Sequence, residues 1–314
     1  MIVAVIDCGT NTFNLLITRV IDKQTCEKLH NDRIAVRLGE GSINAGYISD
    51  VPYQRGLSAM KKFQAKLVEY GVEKTLAFAT SAIRDAANGL EFVKEIETTT
   101  GLAIKIIDGS REAELIYIGN RGALDLSDTV SLIMDIGGGS NEFILCNRFR
   151  VFWKRSFRVG AARLLEMFPH QSPITEEEKN KIRTHLDQQL QPLFTAAADH
   201  PPLELIGSSG AFDSIVEMIC GELNGEPFSF EKTAYHIQMD QFRQITEKVF
   251  GSSLEQRGEI KGLIPIRVDM MVISCLMIEH ILSRLNINQM RVSSYSLKEG
   301  ALLDFIQNEF KYYG

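Results

Sequence analysis

Two stretches decide how this chain is read: IVAVIDCGTNT at residues 2–12 and LIMDIGGGS at residues 132–140. Each is an apolar strand run, then Asp-x-Gly, then two small or polar residues and a Thr or Ser, with a second apolar run behind it. Asp7 and Asp135 lie 128 residues apart, about one domain length. The pattern predicts a β-hairpin whose tight turn faces an anion. Glycine permits positive φ and close backbone approach. Successive turn N–H groups and a hydroxyl can cradle phosphate oxygens. An aspartate at the strand end can hold Mg2+ directly or through water. Either stretch alone is compatible with an ordinary hairpin. Their recurrence at domain spacing favours two loops gripping one Mg-phosphate from both sides.

Working outward, the first half alternates helix and strand. Leu57, Met60, Phe63, Leu67 and Tyr70 share one helical face over 53–70. Strand runs follow at 75–79 and 103–107, and helical runs at 89–99 and 111–122, an α/β pattern. The composition turns polar at DLSDT, residues 125–129, and a new strand starts just after it. The domain junction is therefore set there, giving 1–124 and 125–297. The second half predicts helices near 159–168, 175–198, 238–249 and 269–285, strands at 203–207 and 289–294, and a closing amphipathic helix at 298–314.

Composition excludes several classes. The chain has 314 residues, 45% hydrophobic and 24% charged, so it can bury sizeable cores. A net charge of −6 argues against sequence-blind nucleic-acid binding, and a polyanion would need a local cluster of donors. The five cysteines form no CxxC pair and the six histidines no HExxH, which points away from a disulfide framework or zinc site and towards a reducing cytoplasm. The apolar N-terminus lacks a charged leader and is interrupted by Asp7, so it reads as a buried strand. MMVISCL at 270–276, followed soon by Glu279, is too short to span a bilayer, and no membrane segment is expected. No GxxxxGK[ST] motif occurs, and neither Gly39-x-Gly41 nor GSSG at 207–210 fits a dinucleotide site or a serine hydrolase elbow.

Eight segments in order resemble the exopolyphosphatase/guanosine pentaphosphate phosphatase family: DCGTNTFNLL (7–16), ATSAIRDAANGLEF (79–92), IDGSREAELIYIG (107–119), DIGGGSNEF (135–143), SFRVGAARL (156–164), IGSSGAFDSI (206–215), PIRVDMM (265–271) and VSSYSLKEGALLD (292–304). The resemblance spans the chain almost end to end. It implies two actin-like (ribonuclease H-like) α/β domains flanking a central cleft, with helix 298–314 returning to the first. It implies Mg2+-dependent release of terminal phosphate, from inorganic polyphosphate or guanosine pentaphosphate. A homodimer is the other partner expectation. An ATP-dependent kinase or ATPase of the same fold, and a catalytically weak polyphosphate or alarmone sensor, are the competing readings.

Glu112 matches the family's catalytic glutamate and begins the stripe Glu112, Leu115, Ile116, Gly119. An inward carboxylate beside phosphate would have a raised pKa, suiting a general base. A first-turn glutamate complementing the helix dipole is the bland alternative. Asp7, Asp135 and Glu142 are the metal candidates. Turn capping would also explain the two aspartates, and a solvent-facing strand position would explain Glu142. Gly9, Thr10, Asn11 and Thr12, with Gly137, Gly138, Gly139 and Ser140, are expected to present donors to phosphate. Gly207, Ser208 and Ser209 form a third strand–turn–helix junction that could take a phosphate, or Ser209 could serve only as an N-cap. Arg84 fits a phosphate clamp, with an ion pair to Asp85 or a neighbouring helix as the alternative. Lys154, Arg155, Arg158 and Arg163 form a basic stretch, a track for a polyanion or a solvated face, to which Arg267 and Lys298 could add. Ser296 and Lys298 stand where the family often has Gly and Arg, which bears on backbone freedom and substrate affinity.

Overall fold

The computed structural model describes residues 1–23, 25–225 and 232–309. The chain divides into two compact units, Met1–Gly122 with Ser296–Gly314, and Ala123–Tyr295.

The first unit runs β1 (Ile2–Cys8), β2 (Thr12–Val20), β3 (Cys26–Ala35), α1 (Asp50–Glu69), β4 (Lys74–Ala79), α2 (Ser81–Arg84), α3 (Gly89–Thr100), β5 (Lys105–Ile106) and α4 (Gly109–Ala123). Its sheet has the order β3-β2-β1-β4-β5. β1 is antiparallel to β2 and parallel to β4. The second unit contains β6 (Ser131–Ile136), β7 (Asn141–Cys146), β8 (Val151–Phe157), α5 (Ala161–Met167), α6 (Glu176–Gln189), α7 (Gln191–Asp199), β9 (Glu204–Ser208), α8 (Gly210–Met218), β10 (Ala234–Ile237), α9 (Met239–Gly251), α10 (Leu254–Gly258), α11 (Met271–Arg284) and β11 (Met290–Ser293). Its sheet order is β10-β11-β9-β6-β7-β8. β6 is again antiparallel to the strand that follows it and parallel to β9. Both units therefore place the Asp-x-Gly hairpin at the same topological position, the ribonuclease H-like arrangement of an actin-like domain. The second sheet adds β10 as an antiparallel edge.

Each unit has its own apolar core. Ala4, Ile6, Phe13, Leu15, Met60, Phe63 and Phe92 build the first. Leu132, Met134, Phe143, Leu205, Phe212 and much of α11 build the second. β6 and β7 are buried along their whole length, as expected of central strands covered on both faces.

The helix expected over 175–198 is two helices, broken at Leu190, where Pro192 opens α7. Proline cannot donate the backbone bond that would continue α6. The closing helix is α12 (Leu297–Glu309), and residues 310–314 of the expected span lie outside the described residues. α12 packs on α4 backbone to backbone. A Cβ on Gly300 would lie 1.8 Å from the Leu115 carbonyl oxygen, so only glycine fits there. Arg111 of α4 also pairs with Asp304 of α12. Ser296 does not adopt positive φ. Its N–H donates to Glu299 Oε2 at 3.0 Å, one half of a capping box. Serine in place of glycine therefore strains nothing here. Lys298 pairs with Glu299 at 2.8 Å.

Candidate active site

In the first unit, β1 and β2 meet in a turn closed by the Gly9 N–H donating to the Thr12 carbonyl at 3.1 Å. Asp7 lies opposite Asn14 in register, and Asn14 Nδ2 donates to Asp7 Oδ2 at 3.2 Å. The segment after β3 takes up the turn's carbonyls. Leu38 N–H donates to Thr10 O at 2.7 Å, and the Val36 and Arg37 N–H groups donate to Asn11 O at 2.9 Å. With its carbonyls held from one side, the turn presents its N–H edge on the other. The Thr10 N–H donates to no described residue.

The second unit repeats this construction. The Gly137 N–H donates to Ser140 O at 3.0 Å. Asp135 lies opposite Glu142 in register. The start of α5 binds the turn's carbonyls: Ala161 N–H to Gly137 O at 2.9 Å, Ala162 N–H to Gly138 O at 2.9 Å and Gly160 N–H to Gly139 O at 3.3 Å. The Gly138 and Gly139 N–H groups donate to no described residue. Arg163, grouped by sequence with the basic stretch, is 4% exposed. Its Nε donates to Gly139 O at 3.0 Å, so it pins the turn and is no part of a surface track.

Glu142 is 1% exposed, which rules out the solvent-facing alternative. Its Oε1 accepts from Ser140 Oγ at 2.8 Å and from Ser156 Oγ at 2.6 Å. Asp135 is 7% exposed. Two buried carboxylates side by side on one sheet face suit a hard divalent cation, which takes oxygen ligands and offsets their repulsion. Among the described residues no group of three or more His, Cys, Asp or Glu forms a ready metal cluster.

The GSSG loop lies beside this turn, Ser208 being in parallel register with Asp135. Ser209 has φ of 69°, a left-handed conformation that is uncommon outside glycine and often marks functional loops. It does not cap α8 with its side chain. Its hydroxyl donates to Ile136 O at 3.1 Å, tying this loop to the end of β6. Arg267 Nη1 donates to Ser214 Oγ at 2.7 Å. Its guanidinium lies against Gly210 in the first turn of α8, where an added Cβ would sit 2.0 Å from Nη2.

Glu112 belongs to α4 of the first unit. Asp108 starts that helix, its Oδ1 accepting from the Arg111 N–H at 2.8 Å, an N-cap. Glu112, Leu115, Ile116 and Gly119 are all buried, as the helical period predicts. Glu114 points away, its side chain 46% exposed and paired with Arg111. Glu112 Oε2 accepts from Arg84 Nη1 at 2.8 Å, and the same nitrogen donates to the Ile107 carbonyl at 3.0 Å. Arg84 also approaches Asp85 at 3.6 Å. The expectation of an inward carboxylate beside phosphate leaves out the guanidinium that holds it. A carboxylate fixed in one orientation is what a proton acceptor requires.

Residues 16–309 match the model of the Ppx/GppA phosphatase family. The chain is 27% identical over 320 residues to exopolyphosphatase 2 of Mycobacterium tuberculosis, covering 96% of this chain and 97% of that one. It is 29% identical to the bifunctional 3-dehydroquinate synthase/phosphatase of Fusobacterium nucleatum, over 98% of this chain and 47% of the larger protein. The crystal structure of an exopolyphosphatase from Cytophaga hutchinsonii superposes with a TM-score of 0.95 at 37% identity, covering 98% of each chain. A family member from Aquifex aeolicus shares the fold at TM-score 0.81 and 22% identity. A duplicated Asp-x-Gly hairpin, a buried glutamate held by arginine and a match running over nearly the whole sequence lead to one assignment: the chain belongs to the Ppx/GppA phosphatase family.

Proposed function

We propose that this protein is an exopolyphosphatase, releasing terminal phosphate from inorganic polyphosphate by attack of water. The observation that carries the reading is Glu112, buried and held at 2.8 Å by Arg84 in a chain of this family. The water oxygen bonds to the terminal phosphorus, the bridging P–O bond breaks, and the water proton passes to the Glu112 carboxylate. The shortened chain leaves as the anion. Arg84 orients Glu112 through its hydrogen bond. Turn N–H groups at Gly9–Thr12 and Gly137–Ser140, with the Thr10, Thr12 and Ser140 hydroxyls, bind phosphate oxygens. The GSSG loop at 207–210 and Arg267 supply a further anion-binding element, because helix N-termini and guanidinium groups both favour phosphate. Asp7, Asp135 and Glu142 would hold Mg2+, which offsets phosphate charge when bound.

The test is phosphate release by wild type and Glu112→Gln on tripolyphosphate, long polyphosphate, guanosine pentaphosphate and ATP, with Mg2+ or with chelator. Wild type is expected to act on polyphosphate in Mg2+ and to lose activity on chelation. Glu112→Gln is expected to lose about 10²- to 10⁴-fold in turnover while still binding substrate. Turnover unchanged in the variant would remove Glu112 from the chemistry. Faster release from guanosine pentaphosphate or ATP would reassign the substrate.

A further inference from the structure

The hairpin joining β7 to β8, together with β8 itself, reads RFRVFWKRSFR over 148–158. In a chain of net charge −6, this segment holds five cations, four aromatic residues and no acid. β8 is the edge of its sheet. One end reaches the phosphate turn, Ser156 being paired with Glu142. The other end, at about 3.3 Å per residue, lies roughly 20 Å further along. Three of the four arginines are stacked on rings of the same segment. Arg148 lies over Phe149 at 4.7 Å, Arg150 over Phe152 at 4.6 Å and Arg155 over Phe157 at 5.2 Å. Stacking of this kind holds a guanidinium in place and leaves its edge donors free to point outward. Arg148 pairs with Asp128. Arg150 and Arg155 are exposed and have no carboxylate partner among the described residues.

We propose that this edge strand is an exosite for the trailing part of a long inorganic polyphosphate chain, whose terminal phosphate is processed at the Asp135 turn. The proposal rests on the exopolyphosphatase reading and adds to it a determinant of chain length. Polyphosphate is favoured over single-stranded nucleic acid because a base needs an open ring to stack on. Here three of the four rings carry an arginine on one face, Phe157 is buried and Phe152 also packs on His200 at 4.7 Å, so the exposed Phe149 does not form a ladder on which successive bases could stack.

The experiment compares wild type, Arg150→Glu/Arg155→Glu and Arg150→Lys/Arg155→Lys. It measures kinetics on tripolyphosphate and on long polyphosphate, and direct binding of long polyphosphate by titration calorimetry with and without poly(U) competitor. The glutamate pair is expected to weaken long-chain binding and raise the long-chain KM about tenfold, screened surface charges being worth this much when two are reversed. Turnover of tripolyphosphate should stay within about twofold, which also shows that the variant is folded, and on long chains the lysine pair should fall between wild type and the glutamate pair, because it keeps the charge but loses the stacked planar fork. Equal loss on short and long chains, unchanged long-chain binding in the glutamate pair, or poly(U) displacing polyphosphate at equal phosphate concentration would each overturn the exosite. If wild type binds long polyphosphate through this strand but releases no phosphate, the hydrolase reading fails and the exosite stands.

Discussion

The β1–β2 and β6–β7 turns share one backbone and differ in what hangs on it. Both close with the same N–H to carbonyl bond, at 3.1 Å for Gly9 and 3.0 Å for Gly137. Both have their carbonyls taken up by the segment that follows the third strand. Facing the strand-end aspartate, the first unit has a carboxamide, Asn14, and the second has a carboxylate, Glu142. The first turn carries Thr-Asn-Thr and the second Gly-Gly-Ser. A carboxamide stabilises the aspartate beside it as a donor, whereas a second carboxylate repels it unless a cation lies between. The two units thus share a turn backbone and differ in the side chains set beside it: the first offers hydroxyl and carboxamide groups, and the second a pair of buried carboxylates.

The largest expected effect that tests this difference is on metal dependence. Glu142→Gln should raise the Mg2+ concentration needed for half-maximal activity by about 100-fold, whereas Asn14→Ala should shift it only slightly. Mg2+ titration of phosphate release measures both, and equal shifts would erase the distinction. Next in size is the side-chain pin found on the second turn. Arg163→Met leaves the Gly139 carbonyl without its guanidinium donor and should lower stability in urea unfolding by about 2 kcal/mol. In the first unit Val36, Arg37 and Leu38 do this work through backbone N–H groups, so substituting Leu38 should alter packing but not the turn. Smaller again is the closure itself. A Cβ on Gly137 would sit 2.7 Å from the Ser140 carbonyl oxygen, but on Gly9 it would sit 3.0 Å from that of Thr12. Gly137→Ala should therefore cost about 1.5 kcal/mol and Gly9→Ala about 1, read from the same unfolding curves. A reversed order would mean that the first turn is the more rigid of the two. Smallest is Ser156→Ala, which removes one of two hydroxyl donors to Glu142 Oε1. It should cost about 0.5 kcal/mol, with Ser140 still bound.

Much of this was legible in the sequence because it is local. An apolar run ending in Asp-x-Gly specifies a strand and its turn within a dozen residues, and this happens twice. The inward stripe of α4 follows from helical period alone, which separates Glu112 from Glu114. What escaped reading has little local pattern. β3 is mostly polar and its residues are largely exposed, so it lacks the apolar signature of the covered strands. β8 is rich in arginine and reads as a charge run until its pairing with β7 shows it to be a strand. Of the basic stretch, Arg155 and Arg158 are exposed and Arg163 is buried, a distinction that depends on which element each residue meets.

The α/β alternation, the two Asp-x-Gly turns, the helix that carries Glu112 and the membership of a phosphatase family can be read from the residue order alone. These depend on contacts between near neighbours, or on order along the chain, and both survive in a one-dimensional string. Only the tertiary structure decided that Arg84 grips Glu112 across 28 residues, that Glu142 is buried against two serine hydroxyls, and that Ser209 bonds to the end of β6 and leaves its helix uncapped. The physical reason is that a buried polar group must be satisfied by whichever partner the packing brings within hydrogen-bond reach. That partner is set by how strands and helices meet in space, not by distance along the chain.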